Sequence, residues 1–228
     1  MIYELNHVGM RIRDLSASLA FYVDQLGAVI VDELFVANGQ TDRVHIQLAG
    51  GLIELLHPHQ PGPDVTWGVD HIGFMTDDLD GDHARLVSRG FTFSTPPKVA
   101  GSGQGRLAFL SDPNGVRVEL LQRSEEFRVP PIEGPVQALA HISLSAPNLE
   151  EAVTFYRDDL GMSLVETDGT GTYLRHQNDT IELVNTTSDR PIRGLTLRID
   201  SPANGPLTDP DGTRIDLIAA GEGRSPRR

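Results

Sequence analysis

HVGMRIRDLSASLAFYVDQLGA, residues 7–28, and HISLSAPNLEEAVTFYRDDLGM, residues 141–162, decide the fold between them. Set 134 residues apart, they share His, Leu, Phe, Tyr, Asp, Leu and Gly in register and without a gap. Self-similarity at a fixed offset marks a duplicated structural unit. Each copy opens on an apolar and β-branched alternation, as a strand does, and passes through Asp14 or Asn148 as a helix N-cap. Leu15, Leu19, Tyr22 and Leu26 then form one apolar stripe, which Leu149, Val153, Tyr156 and Leu160 repeat. Gly27 and Gly161 fall where a helix C-cap is expected. In the second copy Glu151 is placed to complete a capping box with Asn148.

A finer repeat lies inside the first half. WGVDHIGFMTDDLD (67–80) carries His71, 64 residues after His7, and Asp78-Leu79 follow Asp14-Leu15 at the same interval. GLIELL, with Glu54, is echoed 65 residues on by GVRVELL, with Glu119. The first half therefore reads as two modules, each a His-bearing strand, a helix (78–89 in the second) and a return sheet ending in an apolar-Glu-apolar strand. The second half starts the same way, with His141 and then Glu182 in IELV. Its last module is short: GLTLRID runs almost directly into DPDGTRIDL, with no room for a helix. DPDGTRIDL matches DPNGVRVEL (112–120), which sets Asp216 opposite Glu119, while Gly194 stands where a second histidine would fall. The expected fold class is α+β, tandem βαβββ modules paired into curved mixed sheets, with the second domain truncated.

RVPPIEGPV (128–136) is Pro-rich and aperiodic, so it reads as a linker. The division is then 1–127 for a domain of two modules, 137–220 for a degenerate second domain and 221–228 for a disordered tail. HPHQPGPD (57–64) joins modules one and two.

Composition narrows the function. The hydrophobic fraction of 39% and charged fraction of 22% are those of a soluble globular protein. Absence of an eighteen-residue apolar run and of a charged-then-apolar leader gives the expectation of a cytoplasmic protein. With 32 acidic against 19 basic residues, the net charge of −13 repels phosphate backbones and anionic lipid heads, so no nucleic-acid or membrane partner is expected. The chain has no cysteine, which excludes disulfides, thiolate metal sites and a cysteine nucleophile. GSGQG (101–105) lacks the following Lys-Ser/Thr of a phosphate loop and reads as a loop between two strands beside a pocket. No nucleophile elbow occurs.

HVGMRIRDL with FYVDQLGA, IELLHP, VDHIGF and DPNGVRVELL, then HISL with FYRDDLGM, resemble in order and spacing the vicinal oxygen chelate superfamily of glyoxalase I, methylmalonyl-CoA epimerase, extradiol dioxygenases and bleomycin resistance proteins. The resemblance covers nearly the whole chain. It implies paired βαβββ modules closing around one divalent metal ion (Fe, Mn, Co, Ni or Zn), with a ligand from the first and last strand of each module. By position these are His7, Glu54, His71 and Glu119. The residues themselves argue in parallel: carboxylates on apolar strands are costly unless paired or metal-bound, and two imidazoles with two carboxylates suit such ions.

The resemblance further implies a metal-dependent lyase or isomerase acting on a small carbonyl or acyl substrate through a metal-stabilised enolate, with Glu54 or Glu119 as the base. An extradiol-type Fe(II) dioxygenase is the second reading, and a metal-free ligand-binding or resistance protein the third. Epimerases carry a separate acid before the Glu54 strand. Here Asn38 holds that position and Asp42 is the only acid between residues 34 and 53. His45, His57 and His59 read as loop or surface residues, with the alternative that one of them hydrogen-bonds a ligand or lines the pocket, and His83 reads as structural. Loops 34–43 and 96–107 would set specificity. Arg11, Arg43, Lys98 and Arg106 read as surface charges able to hold a carboxylate or phosphate. His141, Glu182 and Asp216 are relics of a second site. Monomer and homodimer are both compatible with the family.

Overall fold

The computed structural model describes residues 1–201 and 205–220. The expected tail at 221–228 lies outside them.

Two sheets account for the strands. The first is built by β1 (Ile2–Arg11), β2 (Val29–Val36), β3 (Thr41–Leu48), β4 (Gly51–Pro58), β5 (Gly68–Thr76), β6 (Phe93–Val99), β7 (Arg106–Ser111) and β8 (Arg117–Gln122). Their order is β2-β3-β4-β1-β5-β8-β7-β6. At its centre β1 and β5 run antiparallel, and each pairs in parallel with the last strand of its own module, β4 or β8. The result is a mixed sheet with an internal two-fold relation between β1–β4 and β5–β8.

The second sheet repeats this with β9 (Val136–Ser145), β10 (Ser163–Thr167), β11 (Thr172–His176), β12 (Asp179–Val184), β13 (Ile192–Ile199), β14 (Leu207–Thr208) and β15 (Arg214–Ala219), in the order β10-β11-β12-β9-β13-β15-β14. No helix stands between β13 and β15 among the described residues. The architecture is the expected α+β one, shortened at its end.

The helices are α1 (Leu15–Leu19), α2 (Leu79–Ser88) and α3 (Leu149–Thr154). Both α1 and α3 widen into a π-helical turn, at Ala20–Gln25 and Phe155–Asp159, which carries the repeated Phe-Tyr pair. Gly27 and Gly161 follow at φ 77° and 78°, the left-handed conformation a C-cap needs. Asp14 caps α1 by accepting from Ala17 N–H at 3.0 Å. The expected capping box at α3 does not form: the Asn148 side chain makes no cap hydrogen bond. Its backbone N–H donates instead to Asn114 Oδ1 at 2.9 Å, so a turn of the first half holds that helix start.

The two repeats lock to one another through these turns. Tyr22 Oη donates to Asp209 Oδ2 at 2.9 Å, and its repeat counterpart Tyr156 donates to Asp112 Oδ2 at 3.1 Å. Asp112 and Asp209 open the two DPxG turns, each accepting two backbone N–H bonds on its Oδ1. Both tyrosines are fully buried, and burial pushes their hydroxyls well above the usual pKa. A buried hydroxyl is tolerated only when it is bonded. Each half thus supplies the acceptor for the other half's helix.

Residues 123–135 cross the first sheet. Arg128 donates to the carbonyls of Leu5, Asn6 and Gly50 and pairs with Glu4 and Asp179. No helix among the described residues is long and apolar enough to cross a membrane.

Candidate metal centre

The site follows from the alternation of side chains along β1 and β5. In β1, Val8 and Met10 join the apolar core while His7 and Gly9 face the other way. The antiparallel register sets His7 opposite Gly73 and Gly9 opposite His71. A Cβ on Gly9 would lie 2.0 Å from the His71 ring, and one on Gly73 would lie 2.2 Å from the His7 ring. The repeated His-apolar-Gly (HVG, HIG) is therefore one device: each glycine makes room for the other module's imidazole. The sequence carries this signal as the His-apolar-Gly spacing shared by residues 7–9 and 71–73.

Parallel pairing brings the carboxylates in. Glu54 of β4 is the register partner of Gly9, and Glu119 of β8 that of Gly73. The structure gathers all four residues expected from the sequence. His7 Nε2 lies 3.2 Å from His71 Nε2, and Glu119 Oε2 lies 3.3 and 3.5 Å from those nitrogens. Glu54 Oε2 stands slightly farther off, at 3.8 and 3.6 Å. The two imidazoles are buried; the side chains of Glu54 and Glu119 are 12% and 6% exposed.

Both ring Nδ1 atoms are held by the preceding residue. Asn6 Oδ1 sits 3.2 Å from His7 Nδ1, and Asp70 Oδ2 sits 3.0 Å from His71 Nδ1. Neighbours on a regular strand point to opposite faces, but Asn6 and Asp70 each fall at a register shift of the β1/β5 ladder. Such bulges re-aim side chains beside functional sites. An arginine backs each holder: Arg123 donates to Asn6 Oδ1 at 2.8 Å, and Arg117 donates to Asp70. These guanidinium groups lie over Phe127 and Phe109, at 4.4 and 3.7 Å from the ring centroids. The arrangement fixes the tautomer that leaves both Nε2 atoms free to coordinate.

Electrostatics point the same way. Burial alone lowers the basicity of His71, but Asp70 and Glu119 outweigh it and hold its pKa up at about 9. Burial raises the Glu119 carboxyl, yet the bonds to His7 and His71 pull it far below the usual range. Asp70 is held at about 2, against its burial, by His71, Arg117 and Arg11. The buried Glu119 carboxylate is thus held in its charged form, and a proton on His71 supplies the opposite charge. First-row divalent ions take N and O donors at about 2.0–2.2 Å, which sets neighbouring donors roughly 3.0–3.5 Å apart. His7, His71 and Glu119 fit such an ion, and Glu54 lies a few tenths of an ångström beyond that range.

His45, expected at the surface, is fully buried. Its Nε2 lies 3.5 Å from Glu54 Oε1, its register partner. Burial, then His7 and Arg43, lowers its pKa to about 2, so it stays neutral. Arg43, also expected outside, is 5% exposed: it lies over Phe127 at 5.3 Å and donates to Asp32 and to Gln104, both at 2.6 Å. Gln104 belongs to the GSGQG loop between β6 and β7, so this bond ties the two modules together. Residues 34–43, expected as a loop, are mostly the ends of β2 and β3. Arg11 pairs with Asp70 and Arg106 with Asp80, leaving Lys98 exposed.

The family model described as Glyoxalase/Bleomycin resistance protein/Dioxygenase superfamily matches residues 4–120 and 138–196. The chain belongs to that superfamily. A lactoylglutathione lyase of Schizosaccharomyces pombe is 24% identical over 189 residues, covering 72% of this chain and 61% of its own length. A chloroplastic protein of Arabidopsis thaliana, named a probable lactoylglutathione lyase, is 26% identical over 173 residues, covering 71% of this chain and 45% of its own. The chain therefore spans only about half the length of the relatives it matches. Its fold matches the Mn(II)-bound glyoxalase of Novosphingobium aromaticivorans with a TM-score of 0.67, at 17% identity over 96% of this chain and 83% of that one. A 2,3-dioxygenase of Pseudomonas sp. KL28 gives the same TM-score at 19% identity, over 97% of this chain and 93% of that one.

The second half keeps the superfamily framework and three of the four corresponding side chains, but not the second histidine. By register, His141, Glu182 and Asp216 correspond to His7, Glu54 and Glu119, and Gly194 corresponds to His71. A Cβ at Gly194 would lie 2.2 Å from the Arg214 carbonyl oxygen, at a φ of 155°, so no histidine fits there. Ser143 replaces Gly9, as it can once no opposing imidazole needs the space. Ala140 and Arg193 stand at the two bulge positions of Asn6 and Asp70.

Proposed function

We propose that this protein is a metal-dependent lyase or isomerase acting on a small carbonyl or acyl substrate through an enolate, with His7, Glu54, His71 and Glu119 as metal ligands. The carrying observation is the fourth donor: Glu54 adds a second carboxylate to a His-His-Glu cluster that would already satisfy an oxygenase. The bound divalent ion, of the Fe, Mn, Co, Ni or Zn class, would supply Lewis acidity toward a carbonyl oxygen.

The chain's own groups do the rest. Glu119, close to both imidazoles, stays in place. Glu54 is the longer-held and more exposed carboxylate, with neutral His45 at its far oxygen, and it serves as the base that removes and returns a proton on the carbon next to the carbonyl. Asn6 and Asp70 orient the imidazoles. Phe109 and Phe127, with the arginines over them, keep water from the site. The same reading assigns residues 1–127 to the metal domain, 128–136 to a linker and 137–220 to a supporting domain without a metal of its own. It places the protein in the cytoplasm, acting on small molecules as a monomer or homodimer.

The named relatives support a thioester-type test substrate. Protein loaded with each ion in turn should turn over S-lactoylglutathione, or exchange its α-proton with solvent deuterium, and Glu54→Gln should abolish this while retaining metal. A dioxygenase is the second reading, supported by a fold likeness that spans nearly the whole chain. It predicts oxygen uptake with catechols by the iron form and no α-proton exchange.

A further inference from the structure

Asp42 lies in the segment where epimerases carry an acid, yet it takes no part in the buried centre. It sits on β3 opposite His57 of β4. The strand pairing continues one rung past β4, because His59 N–H donates to Gln40 O at 2.8 Å. Residues two apart on an extended strand share a face, so His59 follows His57 onto the side where Asp42 lies. Both imidazoles converge on one atom: Asp42 Oδ2 is 3.1 Å from His57 Nδ1 and 2.7 Å from His59 Nε2. The three ligand atoms all lie within 4.8 Å of one another. Phe35 packs at a tilt on the His59 ring, 5.4 Å between centroids, and holds it in place.

We infer that Asp42, His57 and His59 form a second divalent-cation site, distinct from the buried centre and open to solvent. His57 follows Glu54 by three residues on β4, which puts the two side chains on opposite faces of the strand. The 3.1 Å separation falls within the edges of a first-row coordination shell, and the 2.7 Å hydrogen bond to His59 would lengthen by a few tenths of an ångström to admit the ion. Two imidazoles and a carboxylate select borderline ions such as Zn²⁺ or Cu²⁺ over Mg²⁺ or Ca²⁺. With the three side chains 26–41% exposed, the remaining positions are accessible to water or a ligand. Beside the imidazoles opens a cleft of about 500 Å³, lined by Arg13, His57, Pro58, His59, Pro61 and Trp67. Arg13 lies over the Trp67 ring at 5.1 Å. A small anion bound to the ion would meet the indole there, beside an Arg13 guanidinium that also pairs with Asp211 at 3.1 Å.

The test is a Zn²⁺ titration by calorimetry of the untagged full chain, beside His57→Ala/His59→Ala and His7→Ala/Glu119→Ala. Native protein, first stripped of metal with a chelator, should take up two equivalents, the second weaker and faster to exchange. The His57/His59 variant should lose only the weaker one, and the His7/Glu119 variant should retain it. Asp42→Asn, which keeps the shape of the side chain, should weaken it without altering the fold. Paramagnetic Co²⁺ should broaden the His57 and His59 ring resonances in the His7/Glu119 variant. Uptake of a single equivalent by the stripped native protein, or a weaker equivalent that survives His57→Ala/His59→Ala, would overturn the inference.

Discussion

The ring of His71 fills the space over Gly9, 2.0 Å from where a Cβ on that residue would stand. A methyl group there displaces the imidazole from the centre, because the three atoms nearest to it all belong to the His71 ring. Gly9→Ala should therefore abolish tight metal binding, measured by equilibrium dialysis, and Gly73→Ala should do the same through His7. Unchanged affinity in both would mean that the rings do not coordinate from these positions.

Asp70 and Asn6 hold the two ligand rings by different chemistry, one with a carboxylate and one with an amide. Groups that orient a metal-bound histidine typically contribute about 10–100-fold in affinity. Asp70→Asn should weaken metal binding by an amount in that range, because the charged acceptor on His71 Nδ1 is lost. Asn6→Ala should cost less, since a neutral partner is removed. Competition against a chelating dye reads both.

Protons and metal compete for His71. In the metal-free chain its pKa rises from 6.5 to about 9, so its proton supports the fold fully below pH 6.5. That contribution disappears as the pH climbs through about 9. Coordination needs the neutral ring, so metal affinity should rise across the same window, by about tenfold per pH unit for one displaced proton. A metal Kd that stays flat from pH 6.5 to 9 would show that His71 is not a ligand.

Tyr22→Phe leaves Asp209 Oδ2 without its tyrosine donor at the contact between repeats. A buried acceptor left so costs about 1–3 kcal/mol. Tyr156→Phe should cost a similar amount through Asp112, and urea denaturation measures both. Metal affinity should not change in either variant, because both tyrosines lie outside the centre.

Much of this molecule was legible before its structure. The offset between His7 and His141 gave the repeat, and the shorter one between His7 and His71 gave the modules and the four side chains that the fold brings together. The hidden parts are those that depend on hydrogen-bond register or on distant chain. Nothing in the sequence marks Asn6 and Asp70 as bulge residues, since a bulge is a property of two strands together. Arg43 looked like a surface charge because its aromatic platform, Phe127, lies far along the chain. Asn148 looked like a cap because the competing acceptor, Asn114, comes from the other half. The HVG and HIG glycines were visible but need the antiparallel register to be understood.

The most direct test of the central claim is elemental analysis of the purified native protein beside a His7→Ala/Glu119→Ala variant. One tightly held equivalent of a first-row divalent ion should be present in the native chain, retained through dialysis, and missing from the variant. No retained metal in the native chain, even after reconstitution with each ion, would contradict the claim and leave a ligand-binding protein on the same fold.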